Sequence, residues 1–172
     1  MIRPFLIAGT FALAATAPAA DPSPEALAFD RFVNASSPLC LNQPAQRCVD
    51  AGFAFADGNR DGKLSLSEVQ GVRATLDRWL AWRGPKLQPR ERGAVMFGAQ
   101  LVDAAGLDRL FDSYDANRDG GVSKPELLAD VRLDHRPLGE VLLDETAVDR
   151  PALQRRLGAL GPAVEGMLRK PR

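Results

Sequence analysis

Apolar residues recur along the chain at three- and four-residue steps, the spacing of one face of a helix. After Ser23-Pro24-Glu25, which reads as an N-cap, a Pro at the first helical position and an acid in the first turn, Leu27, Phe29, Phe32 and Val33 form such a face. It is expected to end before Ser36-Ser37-Pro38. A second helix starts near Pro44 with Val49 and Phe53 on one side. A third starts near Leu66 and carries Val69, Val72, Leu76, Trp79 and Leu80 as far as Gly84-Pro85. Leu107, Leu110, Phe111 and Tyr114 mark a fourth, over about 99–114. Leu127, Leu128 and Val131 mark a fifth, ending at Arg136-Pro137. Beyond Asp149-Arg150-Pro151 the series Leu153, Leu157, Leu160, Val164, Leu168 is interrupted by Gly158, Gly161 and Pro162, which predicts two short helices. Val141-Leu142-Leu143 is too short to type. The elements read from this pattern are all helices, so the chain reads as all-α.

Two polar stretches fall between these helices, and they are nearly the same stretch. Asp57-Gly-Asn-Arg-Asp-Gly-Lys-Leu-Ser-Leu-Ser-Glu68 and Asp115-Ala-Asn-Arg-Asp-Gly-Gly-Val-Ser-Lys-Pro-Glu126 both fit D-x-[DN]-x-[DN]-G-x5-E. A hard divalent cation such as Ca²⁺ takes six to eight oxygens, and a short segment supplies that many only from a tightly coiled backbone. Loop positions 1, 3 and 5 offer side-chain oxygens from Asp57, Asn59, Asp61 and from Asp115, Asn117, Asp119. Gly62 and Gly120 stand at position 6, where a sharp turn calls for a positive φ. Lys63 and Gly121 at position 7 offer backbone carbonyls and are expected to need no particular side chain. Ser65 and Ser123 at position 9 suit contact through a water. Glu68 and Glu126 at position 12 would close each site with both carboxylate oxygens. Ser65 with Glu68 and Ser123 with Glu126 also read as capping boxes for the helices that follow.

On these residues both segments, roughly 46–82 and 99–133, resemble EF-hands. The resemblance implies two helix-loop-helix units whose loops meet in a short β-bridge at position 8, Leu64 and Val122. It also implies two bound Ca²⁺ ions. With three acidic ligands per loop, and Arg60 and Arg118 adding positive charge, micromolar to submillimolar affinity is expected. Opening of the hands would expose an apolar groove to a protein partner, as yet unknown. The loops begin 58 residues apart. A compact tandem needs about 35–40, so the extra residues either lengthen the helices and leave the hands paired, or separate them and undo the bridge. Pairing is favoured, because an isolated hand leaves its apolar faces uncovered. Arg83 to Gly93, with Gly84, Pro85 and Pro89, reads as a positively charged linker within a hand pair spanning 46–136.

The remaining features set the context. Residues 1–19 read as a signal peptide: Arg3, an apolar run from Phe5 to Ala15, and Ala17-Pro18-Ala19 as the cleavage site. That run is shorter than the ~20 residues of a membrane span, so the mature chain is expected to carry none. Export is implied, and the Ala/Arg/Gly/Pro-rich style suggests a bacterial, periplasmic or secreted protein. Cys40 and Cys48, the only cysteines, then read as a disulfide within an N-terminal segment 20–45 and its junction with the first hand. The C-terminal segment 137–172 is expected to pack on the hands, its part 149–172 being alternatively a calcium-dependent latch in their groove.

Hydrophobic residues make up 45% of the chain and charged residues 26%, enough for a core. Basic and acidic residues balance at 22 each, and no basic aromatic surface suggests nucleic acid. A single histidine, no nucleophile motif and no phosphate loop leave no catalytic set. The chain therefore reads as a monomeric binding protein, not an enzyme. A calcium-stabilised structural or buffering module is the alternative.

Overall fold

The computed structural model describes residues 21–161. The expected signal peptide and Val164 and Leu168 of the terminal helix lie outside the described residues. Ser23 caps α1 (Pro24–Asn42), accepting from the Ala26 N–H at 3.2 Å. This helix does not end before Pro38; it runs on to Asn42. A mid-helix proline removes one N–H and crowds the preceding turn. Here Ser36 donates its hydroxyl to the Phe32 carbonyl at 2.8 Å within that turn. Beyond it the last turn is anchored by the Cys40–Cys48 disulfide.

That disulfide joins α1 to α2 (Ala45–Ala56), the helix entering the first loop. The loop ends in a three-residue strand, β1 (Lys63–Ser65), and leads into α3 (Leu66–Arg83). Gly84 and Pro85 stop α3 in a single 3-10 turn. The expected linker is largely absent. Pro89 opens a helix, α4 (Pro89–Ala105), from the first position, where its missing N–H costs nothing. Gln88 caps it, its N–H donating to Glu91.

The single helix expected over 99–114 is also two. Gly106, at φ 83°, breaks it and leaves α5 (Leu107–Tyr114) to enter the second loop. The helix leaving that loop, α6 (Lys124–Leu127), is one turn long where a longer one was expected. Residues 128–130 form turns instead, and Val131 makes a β-bridge with Val148. Two further helices, α7 (Leu138–Leu143) and α8 (Arg150–Leu157), complete the body, followed by a 3-10 turn over Gly158–Leu160.

Strands β1 and β2 (Gly121–Ser123) pair antiparallel, with Leu64 opposite Val122. The position 8 bridge therefore forms in spite of the 58-residue spacing, because α4 takes up the extra chain. Arg73 of α3 pairs with Asp103 of α4, and Gln70 donates to Asp108 of α5 at 3.1 Å. Lys124 beyond β2 reaches back to Asp50 of α2 and lies over the Phe53 ring.

Two apolar clusters form at opposite ends of α2, about Phe55 and about Ala45. Phe29 and Phe32 of α1 pack on Phe55 and Trp79, Phe32 and Phe55 stacked at 4.3 Å between ring centres. Trp79 is buried and donates to Asp30 at 2.9 Å. At the other end Ala45, Val141 and Ala147 form a small buried core with Val131, Leu133 and Leu138 around it. Among the described residues no helix is long and apolar enough to cross a membrane.

Candidate metal centres

Each loop is a ring closed on itself. Asp57 caps the end of α2 and is buried; its two carboxylate oxygens accept from the N–H groups of Asp61 at 3.2 Å and Gly62 at 3.0 Å. Asn59 accepts from Asp61 N–H, and Asp61 from Lys63 N–H at 2.9 Å. Glu68 reaches back across the loop: one oxygen accepts from Gly58 N–H at 2.9 Å and Asn59 N–H at 3.2 Å. Its other oxygen takes the Ser65 N–H and hydroxyl, both at 2.8 Å.

The second loop repeats this bond for bond. Asp115 accepts from Asp119 and Gly120, and Glu126 from Ala116, Asn117 and Ser123. Gly62 and Gly120 have φ of 84° and 85°, as the turn at position 6 requires.

The structure thus brings together Asp57, Asn59, Asp61, Lys63, Ser65 and Glu68 in one ring, and Asp115, Asn117, Asp119, Gly121, Ser123 and Glu126 in the other. Among the described residues no three acidic, imidazole or thiol side chains converge as a ready-made cluster. The carboxylates of each loop are held on the loop's own N–H groups. The donor set is nonetheless all oxygen, which fits a hard cation and offers nothing to a thiophilic one. The carboxylates and Asn oxygens of positions 1, 3, 5 and 12 would hold the ion, together with the position 7 carbonyl. Position 9 would act through water.

The two position 12 carboxyls are held in their charged form. The Ser65 N–H and hydroxyl hold the Glu68 carboxyl below the usual range, aided by the N–H groups of Asn59 and Gly58. The Ser123 hydroxyl and N–H do the same for Glu126.

Two features were not read from the sequence. Arg60 and Arg118, at position 4, also have positive φ, 61° and 57°. Only the glycine positions had signalled a turn. The second is a correction at position 7. The Lys63 side chain is not idle: its ammonium pairs with Asp119 of the opposite loop. That contact depends on strand register, which no local pattern encodes.

A family model described as EF hand matches residues 49–72 and 107–131. Those segments run from the entering helix through the loop into the next helix in both cases. The two units are an EF-hand pair. No curated protein and no solved structure matches the chain. EF-hands imply binding of Ca²⁺, and the oxygens of the two loops described above are the groups that would hold it.

Proposed function

We propose that this chain is an exported calcium-binding protein that takes one Ca²⁺ per loop and acts as a sensor or adaptor. The observation that carries the sensor reading is an apolar cleft of about 110 Å³ beside the bridge. Its lining includes Leu64 and Val122, the bridge residues themselves, with Leu107, Phe111 and Leu127. A change in either loop would act directly on the walls of this cleft. A protein partner with an apolar anchor is the ligand that suits it. Binding in the micromolar to submillimolar range follows from three carboxylates per loop with an arginine nearby. The Cys40–Cys48 disulfide supports an oxidising compartment, and the N-terminal apolar run with its small-residue cleavage site supports export, in a bacterium to the periplasm. We read the protein as a monomer with no catalytic role.

A second reading has its own observation. The apolar side of the first hand is covered by α1 through the Phe29, Phe32, Phe55 and Trp79 cluster. A hand closed by its own chain suits a module that calcium stabilises, since an ion bound only to the folded state adds stability.

The test is a Ca²⁺ titration of the oxidised mature protein from EDTA, reading ANS and tryptophan fluorescence together. The sensor reading expects ANS emission to rise at micromolar to submillimolar Ca²⁺, and a Glu68→Gln/Glu126→Gln double variant to lose the rise. If ANS instead binds the EDTA form and leaves as calcium enters, calcium completes the fold and the structural reading holds. Silence in both channels at millimolar Ca²⁺ would sink both.

A further inference from the structure

The two loops carry the same residues at positions 1, 3, 4, 5, 6, 9 and 12, so their ligands alone give no reason for different affinities. They differ at position 7, Lys63 against Gly121, and there the β-pairing turns a local difference into a cross-loop contact. Ser65 lies opposite Gly121, and the Lys63 stem runs over it. A Cβ on Gly121 would stand 3.0 Å from the Lys63 Cβ and 3.1 Å from its Cδ. The glycine therefore leaves the channel through which the stem passes. At its end the Lys63 ammonium sits on Asp119, the position 5 ligand of the second loop. The same Asp119 oxygen accepts from Asn117 at 2.8 Å. The matching residue of the first loop, Asp61, accepts from Asn59 at 2.9 Å and has no ion pair among the described residues.

We propose that Lys63 is a tethered competitor for the second calcium site, so that the first loop fills before the second. The proposal rests on the reading that both loops bind Ca²⁺. An incoming ion must displace the ammonium from Asp119 or share the carboxylate with it, and in either case the charge remains close by. The first loop meets no such rival and uses only the backbone carbonyl of Lys63. The lysine thus belongs to one site by its main chain and opposes the other by its side chain.

The Gly62 and Gly120 amides each donate to the position 1 aspartate of their own loop, at 3.0 Å and 2.9 Å, so each reports its own site. In a Ca²⁺ titration of the ¹⁵N-labelled, oxidised mature protein, the Gly62 resonance is expected to shift at lower Ca²⁺ than Gly120. Removing the charge with Lys63→Met is expected to lower the Gly120 midpoint about three- to tenfold, the size of one charge acting on a divalent ion at a solvated site. The Gly62 midpoint should move less than twofold, and Lys63→Arg, which keeps the charge, should stay near wild type. Wild-type Gly120 shifting first, or a Lys63→Met midpoint that stays in place, would overturn the proposal while leaving calcium binding intact. If neither glycine responds to millimolar Ca²⁺, the calcium reading itself fails and the proposal with it.

Discussion

Val141 is completely buried, packed against Ala45 and Ala147, two side chains too small to move in and fill a space. Val141→Ala is therefore expected to cost about 2 kcal/mol, the transfer value of two methyl groups plus an unrelaxed cavity. Urea denaturation would show it as a lower midpoint with an unchanged slope. Arg60 and Arg118 present the opposite case, residues whose backbone conformation opposes their side chain. Left-handed φ crowds an ordinary Cβ, and Asn tolerates it better. Arg60→Asn and Arg118→Asn should each stabilise the protein by up to about 1 kcal/mol, read from melting in EDTA. Each should also tighten calcium binding, since a positive charge leaves the loop. A lower melting temperature for both variants would mean that the arginine side chains make contacts worth more than the strain.

The helices were legible wherever a pattern of three- and four-residue steps met a local stop signal, as at Ser23-Pro24 and Gly84-Pro85. They were misread where one residue type can play two parts. Pro38 and Pro89 both read as breaks, yet one sits inside α1 and the other opens α4. Sequence spacing cannot say whether tertiary anchoring will carry a helix past its proline. In α1 the anchor is the disulfide to α2, which closes a small loop. By the chain-entropy argument, Cys40→Ser/Cys48→Ser should lose about 2–3 kcal/mol. The loss should centre on α1 and α2, which hydrogen exchange would resolve from the second hand.

The segment between α6 and α7 depends on charge instead. Arg136 pairs with both Asp134 and Asp144, and Thr146 donates to Asp144 through its hydroxyl and N–H. The Thr146 bonds, followed by Arg136, depress the Asp144 carboxyl from 3.8 to about 2. A depressed folded value means stability that is full above the ordinary value and lost as pH falls through the folded one. Asp144→Asn should accordingly melt below wild type at pH 7, the difference shrinking between pH 4 and pH 2. A difference that persists at pH 2 would show that the residue acts by shape, not by charge.

At the scale of the molecule, both loops and their bridge were readable because twelve residues of local sequence contain nearly the whole site. What joins the hands to the rest was not, since its partners lie far apart in the chain. Arg156 of α8 is the clearest instance. Its guanidinium pairs with the buried Asp130, lies 4.1 Å from the centre of the Tyr114 ring, and donates to the Ser113 carbonyl. Ser113 and Tyr114 end α5 immediately before Asp115, so the C-terminal helix holds the entrance to the second loop. A latch inside the apolar groove is one expectation for residues 149–172; their described part packs on α4 and α5 and does not line the cleft. Arg156→Gln takes the cation away from the buried Asp130, which should cost about 3–5 kcal/mol. Asp130→Asn in addition should recover part of that loss, because the unpaired charge goes, and the coupling in a double-mutant cycle measures the pair itself. Calcium should also separate the loops: Arg156→Gln weakens the second site by loosening α5 and leaves the first, entered through α2, nearly as it was. If Arg156→Gln melts with wild type and both sites keep their midpoints, α8 is only resting on the hand. If both sites weaken equally, the bridge between Leu64 and Val122 transmits the damage, and the pair behaves as one unit.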